Sequence, residues 1–296
     1  MFNPKAGRGT ADEALRTTTS RLEGTVAAVI ETTLDASFAP RVRDAVRDVR
    51  NETGELPVIV AVGGDGTLSM VLNALSQPAD AALAVVPSGS GNDFADALGV
   101  AGVSRAIDAI ERGSSRLVDV GVVNGRRFAN CVGMGLDAEV GALAAKLRKR
   151  GYPGGPSYHA AAMIGLFMVK PVGIRVEAHG IVRRVERGVM VTVGNGHSYG
   201  GGFRGAPNAS LDDGALDAYV FSDVEGVFAR LALMHRIRSG SHVGEPNVHS
   251  ILAPSLLVEF DRDVAMHVDG EILSVRRADV ALLPRALRVI APLPSV

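Results

Sequence analysis

The segment Val62-Gly63-Gly64-Asp65-Gly66-Thr67-Leu68 holds the residues best suited to chemistry. Gly63, Gly64 and Gly66 permit a tight turn and let a ligand approach the backbone without Cβ interference. The apolar run Val58-Ile59-Val60-Ala61 precedes this segment and reads as a strand, and Leu68 to Leu75 follows as a helix. Backbone N–H groups at the start of a helix attract anions, phosphate above all. Asp65 puts a carboxylate inside the turn, where it would repel bare phosphate unless a metal ion or a proton transfer gives it a task. A phosphate-holding turn that contains an acid points to phosphoryl transfer.

Other loops carry similar chemistry. Asn3-Pro4-Lys5-Ala6-Gly7-Arg8-Gly9 is polar, glycine-rich and leads into a helix, so it is either a second phosphate loop, using backbone amides with Lys5 or Arg8, or a flexible start. Pro87 to Ala95 joins a strand to a helix; Ser90 is placed to meet phosphate, while Asn92 or Asp93 caps the helix or touches a metal shell. Gly194 to Phe203 is too glycine-dense for a strand, and its His197 has no second histidine at metal-ligand spacing. Asp212-Asp213-Gly214 suits either a hard cation or a plain turn. Val268-Asp269-Gly270-Glu271 reads as a hairpin turn, or as the source of a carboxylate that takes a hydroxyl proton.

The elements that must position these loops fall into two halves. Thr10-Ala11-Asp12-Glu13 has capping-box spacing and opens a helix toward Gly24. Val26 to Thr33 reads as a strand, and Val42, Ala45, Val46 and Val49 form one apolar helical stripe. The strand at Val58, the helix at Thr67, the strand Leu83 to Val86 and helices over Asn92–Leu98 and Ser104–Arg112 follow. This alternation predicts a doubly wound, mostly parallel sheet, with ligands beyond the carboxyl ends of its strands.

The pattern changes near residue 116. Strand-like runs occur at 117–123, 127–132, 174–178, 181–186, 189–193, 216–221, 256–260, 264–268 and 286–290. Asn124-Gly125, His179-Gly180 and Arg262-Asp263 sit between them as turns. Helices are expected over Asp137–Arg150 and Val224–Ile237. This half reads as an antiparallel β-sandwich. The predicted division is therefore 1–120, an α/β nucleotide domain, and 121–296, a β-sandwich domain for lipid and metal.

Composition bounds the class. The chain has 296 residues, 47% hydrophobic and 21% charged, which suits a globular protein. Its net charge of −1 argues against nucleic acid as a partner. The single cysteine, Cys131, forms no intrachain disulfide, which suits a reducing cytosol. No signal peptide or bilayer-spanning run is seen. Lys146, Arg148, Lys149 and Arg150 make a basic helix end, suited either to solvent or to anionic lipid headgroups.

The order and spacing of these motifs resemble the diacylglycerol kinase catalytic-domain family, the bacterial lipid kinases related to sphingosine and ceramide kinases. The likeness runs over nearly the whole chain. It includes Asn3-Pro4, Gly63 to Thr67, Pro87 to Ala95, Asp119, Gly133 to Asp137, Asp213-Gly214 and Asp269-Gly270-Glu271. Gly-Gly-Asp-Gly-Thr alone is shared with NAD kinases; the Pro87 loop and the late Asp-Gly-Glu are more specific.

The resemblance implies ATP in a cleft between the α/β and β-sandwich domains. Asn3, Pro4, Lys5, Ala6, Gly7, Thr32 or Thr33, the run Gly64, Asp65, Gly66, Thr67, Leu68, Ser69, Met70, and Ser90, Asn92 and Asp93 would form the nucleotide site. Mg²⁺ would sit at Asp213, with carbonyls from Ser210 and Ala215. Asp65, Asp93 and Asp119 resemble the family's acidic network. Asp269 or Glu271 would be the general base, with Asp65 a third candidate.

Some positions depart from the family pattern. Only Met1-Phe2 precede Asn3-Pro4 where the family has a full strand, so either the start codon is miscalled or the central sheet lacks part of a strand; Ser69-Met70 replaces the usual Asn-Glu, and Ser90 the usual threonine. The expected protein is an ATP- and Mg²⁺-dependent lipid kinase acting on diacylglycerol or a similar lipid alcohol. It would be cytoplasmic and peripheral at the inner membrane face, with transient membrane contact and a homodimer as a possible assembly. The rival readings are a soluble-metabolite kinase of the NAD kinase type and a non-catalytic lipid or nucleotide sensor.

Overall fold

The computed structural model describes all residues except 5, 90, 152–160, 162, 166–169 and 293–296, and leaves side-chain surroundings undescribed at positions 8, 9, 148 and 149. The chain divides into two units, Met1–Val120 with Leu283–Val296, and Gly121–Leu282. The last stretch, grouped with the β domain on sequence, thus returns to the first unit.

In the first unit the helices α1 (Thr10–Arg21) and α2 (Phe38–Thr53) precede β1 (Val58–Gly63), α3 (Asp65–Ala74), β2 (Ala82–Pro87), α4 (Asp93–Ala97), α5 (Val103–Arg112) and β3 (Ser115–Val123), whose last three residues belong to the second unit. The stripe expected on α2 is the buried one: Val42 and Val46 are buried and Ala45 and Val49 half-buried. The helix stops at Gly54, whose φ of 71° is left-handed and whose N–H bonds to the Arg50 carbonyl. Strand β1 runs parallel to β2, from Val58 opposite Ala82 to Gly63 opposite Pro87. The chain's last strand ends beside β2 in the same direction, with Val289 opposite Leu83. The parallel, strand-helix character read from the sequence is therefore present.

The strand expected over Val26–Thr33 is not. Ile30 and Thr32 bond to Phe2, through Phe2 N–H to Ile30 O at 2.9 Å and Thr32 N–H to Phe2 O at 2.8 Å, and the pairing extends no further. Beyond Phe2 the chain turns at Asn3-Pro4, and proline has no N–H to continue a ladder. Val26 and Val29 remain 41% and 52% exposed.

The second unit is antiparallel. It contains β4 (Arg126–Phe128), β5 (Cys131–Gly135), α6 (Leu136–Lys149), β6 (Val172–Ala178), β7 (Ile181–Gly194), β8 (Leu216–Ser222), α7 (Val227–Ser239), β9 (Val248–Ala253), β10 (Ser255–Val268) and β11 (Glu271–Ile290), whose end belongs to the first unit. Strands β5 and β6 each pair with both β7 and β10, at successive stretches of those long strands. Register shifts at Gly188/Met190 and Glu259/Val264 bend the long strands where they change partner. The enclosed core is made of alternating inward side chains, among them Phe128, Val132, Met134, Ile174, Val191, Val193, Val258 and Met266.

Three hairpins follow the sequence directly. Asn124-Gly125, His179-Gly180 and Asp269-Gly270 each have positive φ at both positions, the geometry of a two-residue type I′ turn. Arg262-Asp263 differs: it lies inside β10 at the bulge rather than at a turn. Asp261 anchors the bulge by accepting the Gly173 N–H at 2.9 Å. Among the described residues no helix is long and apolar enough to cross a membrane.

Candidate active site

In the first unit the loops singled out by sequence lie together at the carboxyl end of β1. The Asn3 N–H reaches the Val62 carbonyl at 3.3 Å, and Ala6 turns back to Asn3 at 3.0 Å. The Thr10 hydroxyl, at the start of α1, lies 3.0 Å from the Gly7 carbonyl and 3.2 Å from the Ser88 carbonyl. Ser88 N–H in turn donates to Gly63 O at 3.0 Å. Thr32 joins the group through Phe2, and Thr33 follows it. Lys5 and Ser90 fall outside the described residues.

Backbones touch where the glycines are. A Cβ on Gly89 would stand 2.5 Å from Gly64 Cα, far inside van der Waals contact, so no side chain fits at that point. The loop after Gly89 closes on itself: Asn92 Oδ1 accepts the Gly89 N–H and Asn92 Nδ2 donates to the Gly89 carbonyl, both at 2.9 Å. Asn92 has a φ of 57° and makes no side-chain cap on α4, contrary to the expectation that it or Asp93 caps that helix. Asp65 does so instead. Its Oδ2 accepts the Asp93 N–H at 3.1 Å and its Oδ1 the Phe94 N–H at 3.0 Å. The carboxylate inside the glycine turn thus clamps one loop to the other, a role invisible in a sequence gap of 28 residues. Asp93 and Asp119 are themselves buried, and Asp119 Oδ1 accepts the Arg285 N–H at 2.6 Å.

Helix α3 begins at this clamp, with Gly64 as its N-cap and, among the described residues, no side chain covering the space beside Gly66. The Thr67 and Ser69 hydroxyls are buried without a hydrogen-bond partner among the described residues. Leu68 is 1% exposed and belongs to the core, so only its backbone can face a ligand. Met70 is half-buried beside them.

In the second unit Asp269 and Glu271 have unequal surroundings. Asp269 is buried at a φ of 46°, and its carboxylate accepts backbone N–H groups from Ala129 at 2.8 Å, Asn130 at 3.1 Å and Cys131 at 2.9 Å. It ties the β10–β11 turn to the start of β5. Glu271 is exposed and ion-paired with Arg126. Nearby stands a pair that sequence reasoning did not assemble. His267, in β10, has Nε2 3.5 Å from Asp137 Oδ2 at the start of α6, and both side chains are buried. A Cβ on Gly133 would come within 2.0 Å of Asp137 Oδ2, so the pair exists because position 133 is glycine. The only sequence signal was the glycine segment ending at Asp137.

The loop expected to hold metal runs from Ser210 to Ala215. Asp213 is exposed, and its Oδ1 accepts the Ala215 N–H at 3.1 Å, while the Ser210 hydroxyl bonds to Asp212 at 3.0 Å. Burial, reinforced by the Asp213 charge, pushes the Asp217 carboxyl above its usual range, against the opposing Tyr219 hydroxyl. A cation beside two such carboxylates relieves that repulsion. No group of three or more His, Cys, Asp or Glu side chains forms a metal cluster among the described residues, so the donors at this loop are fewer than three such side chains together with carbonyl or hydroxyl oxygens. Such a set suits a hard cation that keeps water ligands. In the basic run, Lys146 and Arg150 are exposed, and the side chains of Arg148 and Lys149 lie outside the described residues.

Comparison with known proteins places both units. Residues 1–123 match the diacylglycerol kinase catalytic domain, and residues 130–291 match the YegS C-terminal NAD kinase beta sandwich-like domain. The chain is 31% identical over 245 residues to a Bacillus subtilis (strain 168) diacylglycerol kinase, covering 80% of this chain and 78% of that protein. It is 32% identical over 235 residues to a probable YegS-like lipid kinase of Pseudomonas aeruginosa (strain UCBPP-PA14), covering 79% and 76%. A solved chain from Bacillus anthracis str. Sterne, described as a putative diacylglycerol kinase, superposes with a TM-score of 0.75 at 25% identity, covering 99% of this chain and 96% of that one.

Proposed function

The chain belongs to the diacylglycerol kinase family of lipid kinases, and on that premise we propose that it transfers the γ-phosphate of ATP, with Mg²⁺, to a hydroxyl of diacylglycerol or a similar lipid alcohol. The observation that carries this reading is the Asp65 clamp. It fixes the Gly64–Thr67 turn against the Gly89–Asp93 loop, leaving backbone at the start of α3 open toward a ligand. That arrangement fits a polyphosphate, because N–H groups and the helix dipole favour negative charge there.

Bound ATP would supply the phosphoryl group, and bound Mg²⁺ would offset its charge. The chain's own residues do the rest. The Asn3–Gly7 loop and the Gly64–Met70 turn bind and orient the nucleotide. Asp213, with oxygens of Ser210 and Ala215, would hold Mg²⁺. Glu271 accepts the proton of the lipid hydroxyl, since its carboxylate is exposed, whereas Asp269 is occupied with three backbone donors and holds the turn that carries Glu271. Catalysis in this reading is positioning and electrostatics above all.

The test is transfer of radiolabelled phosphate from ATP to a panel of lipid alcohols in mixed micelles, with and without Mg²⁺. Labelled lipid formed only with Mg²⁺ supports the proposal; no labelled product on any lipid overturns it.

A further inference from the structure

The chemistry above leaves unused the outer face of α7. The helix packs inward through Leu233 and Ile237, which join the cluster of Leu136, Val189, Met190 and Phe221. At 100° per residue, Phe228, Ala232, His235 and Ser239 form the opposite stripe, and all four are exposed. Phe228 is 88% exposed, an unusual place for a phenyl ring. Val227 beside it and Val243 in the loop after the helix are also exposed.

The surround of this stripe is cationic. Gly226 to Gly244 contains three arginines, two histidines and no carboxylate. At the start of the helix Asp223 is covered by Arg187 at 2.8 Å and Arg230 at 2.9 Å, leaving its side chain 4% exposed. At the far end Arg236 pairs with half-buried Glu245 at 2.6 Å, Arg238 lies over the Phe203 ring, and Arg204 is exposed. Five arginines therefore stand against three carboxylates: near Phe228, Arg187 and Arg230 balance Asp223 and exposed Glu225, and the cationic excess lies at the far end, where Arg204, Arg236 and Arg238 face Glu245 alone.

An exposed ring at one end of a surface helix and an excess of arginine at the other suit a headgroup layer: the ring enters the acyl boundary and the guanidinium groups meet phosphates. We infer that the outer face of α7 is the surface by which this chain sits on an anionic bilayer, with Phe228 inserted. The inference locates the membrane contact of the lipid kinase reading on which it rests, and it puts that contact on α7 rather than on the basic run at Lys146–Arg150.

The test is co-sedimentation of the intact protein with phosphatidylcholine vesicles and with phosphatidylcholine–phosphatidylserine vesicles, beside phosphate transfer in detergent micelles. The wild type is expected to sediment with the anionic vesicles only. Phe228→Glu is expected to lower the vesicle affinity by about 10-fold or more, with unchanged far-UV circular dichroism and micellar turnover. Arg204→Glu lowers it a few-fold, and Lys146→Glu leaves it near wild type. Vesicle binding by Phe228→Glu equal to wild type, loss of binding in Lys146→Glu instead, or no binding by the wild type overturns the inference. If wild type binds anionic vesicles through Phe228 yet phosphorylates no lipid, the kinase reading fails and the docking surface stands.

Discussion

The Asp65 carboxylate accepts the backbone N–H of Phe94 at 3.0 Å, so an acid of the glycine turn is the cap of a helix that begins 28 residues later. One side chain thereby ties together the two loops that the proposed function assigns to one nucleotide.

Replacing this carboxylate by a neutral amide removes charge-assisted bonds to two N–H groups. Asp65→Asn should lose about 1–3 kcal/mol of stability and lower phosphate transfer by about 100-fold or more. Thermal denaturation and the transfer assay, run on the same preparation, check both. A fully active, fully stable variant would show that the clamp is dispensable.

The glycines of the turn separate stability from binding. Gly66 lies within α3 with open space where a Cβ would go, so Gly66→Ala should raise stability by up to about 1 kcal/mol. The added methyl stands on the proposed phosphate path, so ATP affinity measured by calorimetry should fall despite the firmer fold. Gly89→Ala, whose Cβ would lie 2.5 Å from Gly64 Cα, should lose both.

Asp269 and Glu271 should respond differently to loss of charge. Asp269→Asn disturbs three buried backbone donors and should cost about 2–4 kcal/mol, seen in urea unfolding. Glu271→Gln breaks an exposed pair with Arg126, worth at most about 1 kcal/mol, yet should lower turnover by about 100-fold or more. Unchanged turnover in Glu271→Gln would move the proton acceptor elsewhere.

Stability should also depend on pH through His242. The ring is buried against Tyr219 and Phe221, with centroids 5.2 Å from each, and burial lowers its pKa below 6.5 despite backbone carbonyls of Arg236 and Gly205. The unfolded chain then binds the proton more readily, so stability falls as pH drops below about 6.5 toward the lowered folded value. Urea midpoints measured between neutral and mildly acid pH should decline, and His242→Asn should flatten that decline. An equal slope in both proteins would assign the effect to other groups.

Much of this was legible in the sequence because the signals were local. The alternation of strands and helices, the stripe on α2 and the hairpins at Asn124-Gly125, His179-Gly180 and Asp269-Gly270 depend on near neighbours and were read from them. The errors were of other kinds. Val26–Thr33 has strand composition but lacks a partner along its length. Arg262-Asp263 looks like a turn but is a bulge, because Asp261 is bonded to distant Gly173. Strand β9 is short and its alternation weak. In the candidate site, the residue types were visible but their employment was not. Asp65 as a cap, Asp269 as an anchor for three N–H groups, and the pairing of Asp137 with His267 all depend on contacts across long stretches of chain.

The proposed transfer of phosphate from ATP to a lipid hydroxyl is tested most directly by labelled transfer to diacylglycerol in mixed micelles. Wild type should form labelled phosphatidic acid when Mg²⁺ is present, and Asp65→Asn and Glu271→Gln should form little. Label on NAD, or on no acceptor at all while ATP still binds, would contradict the account.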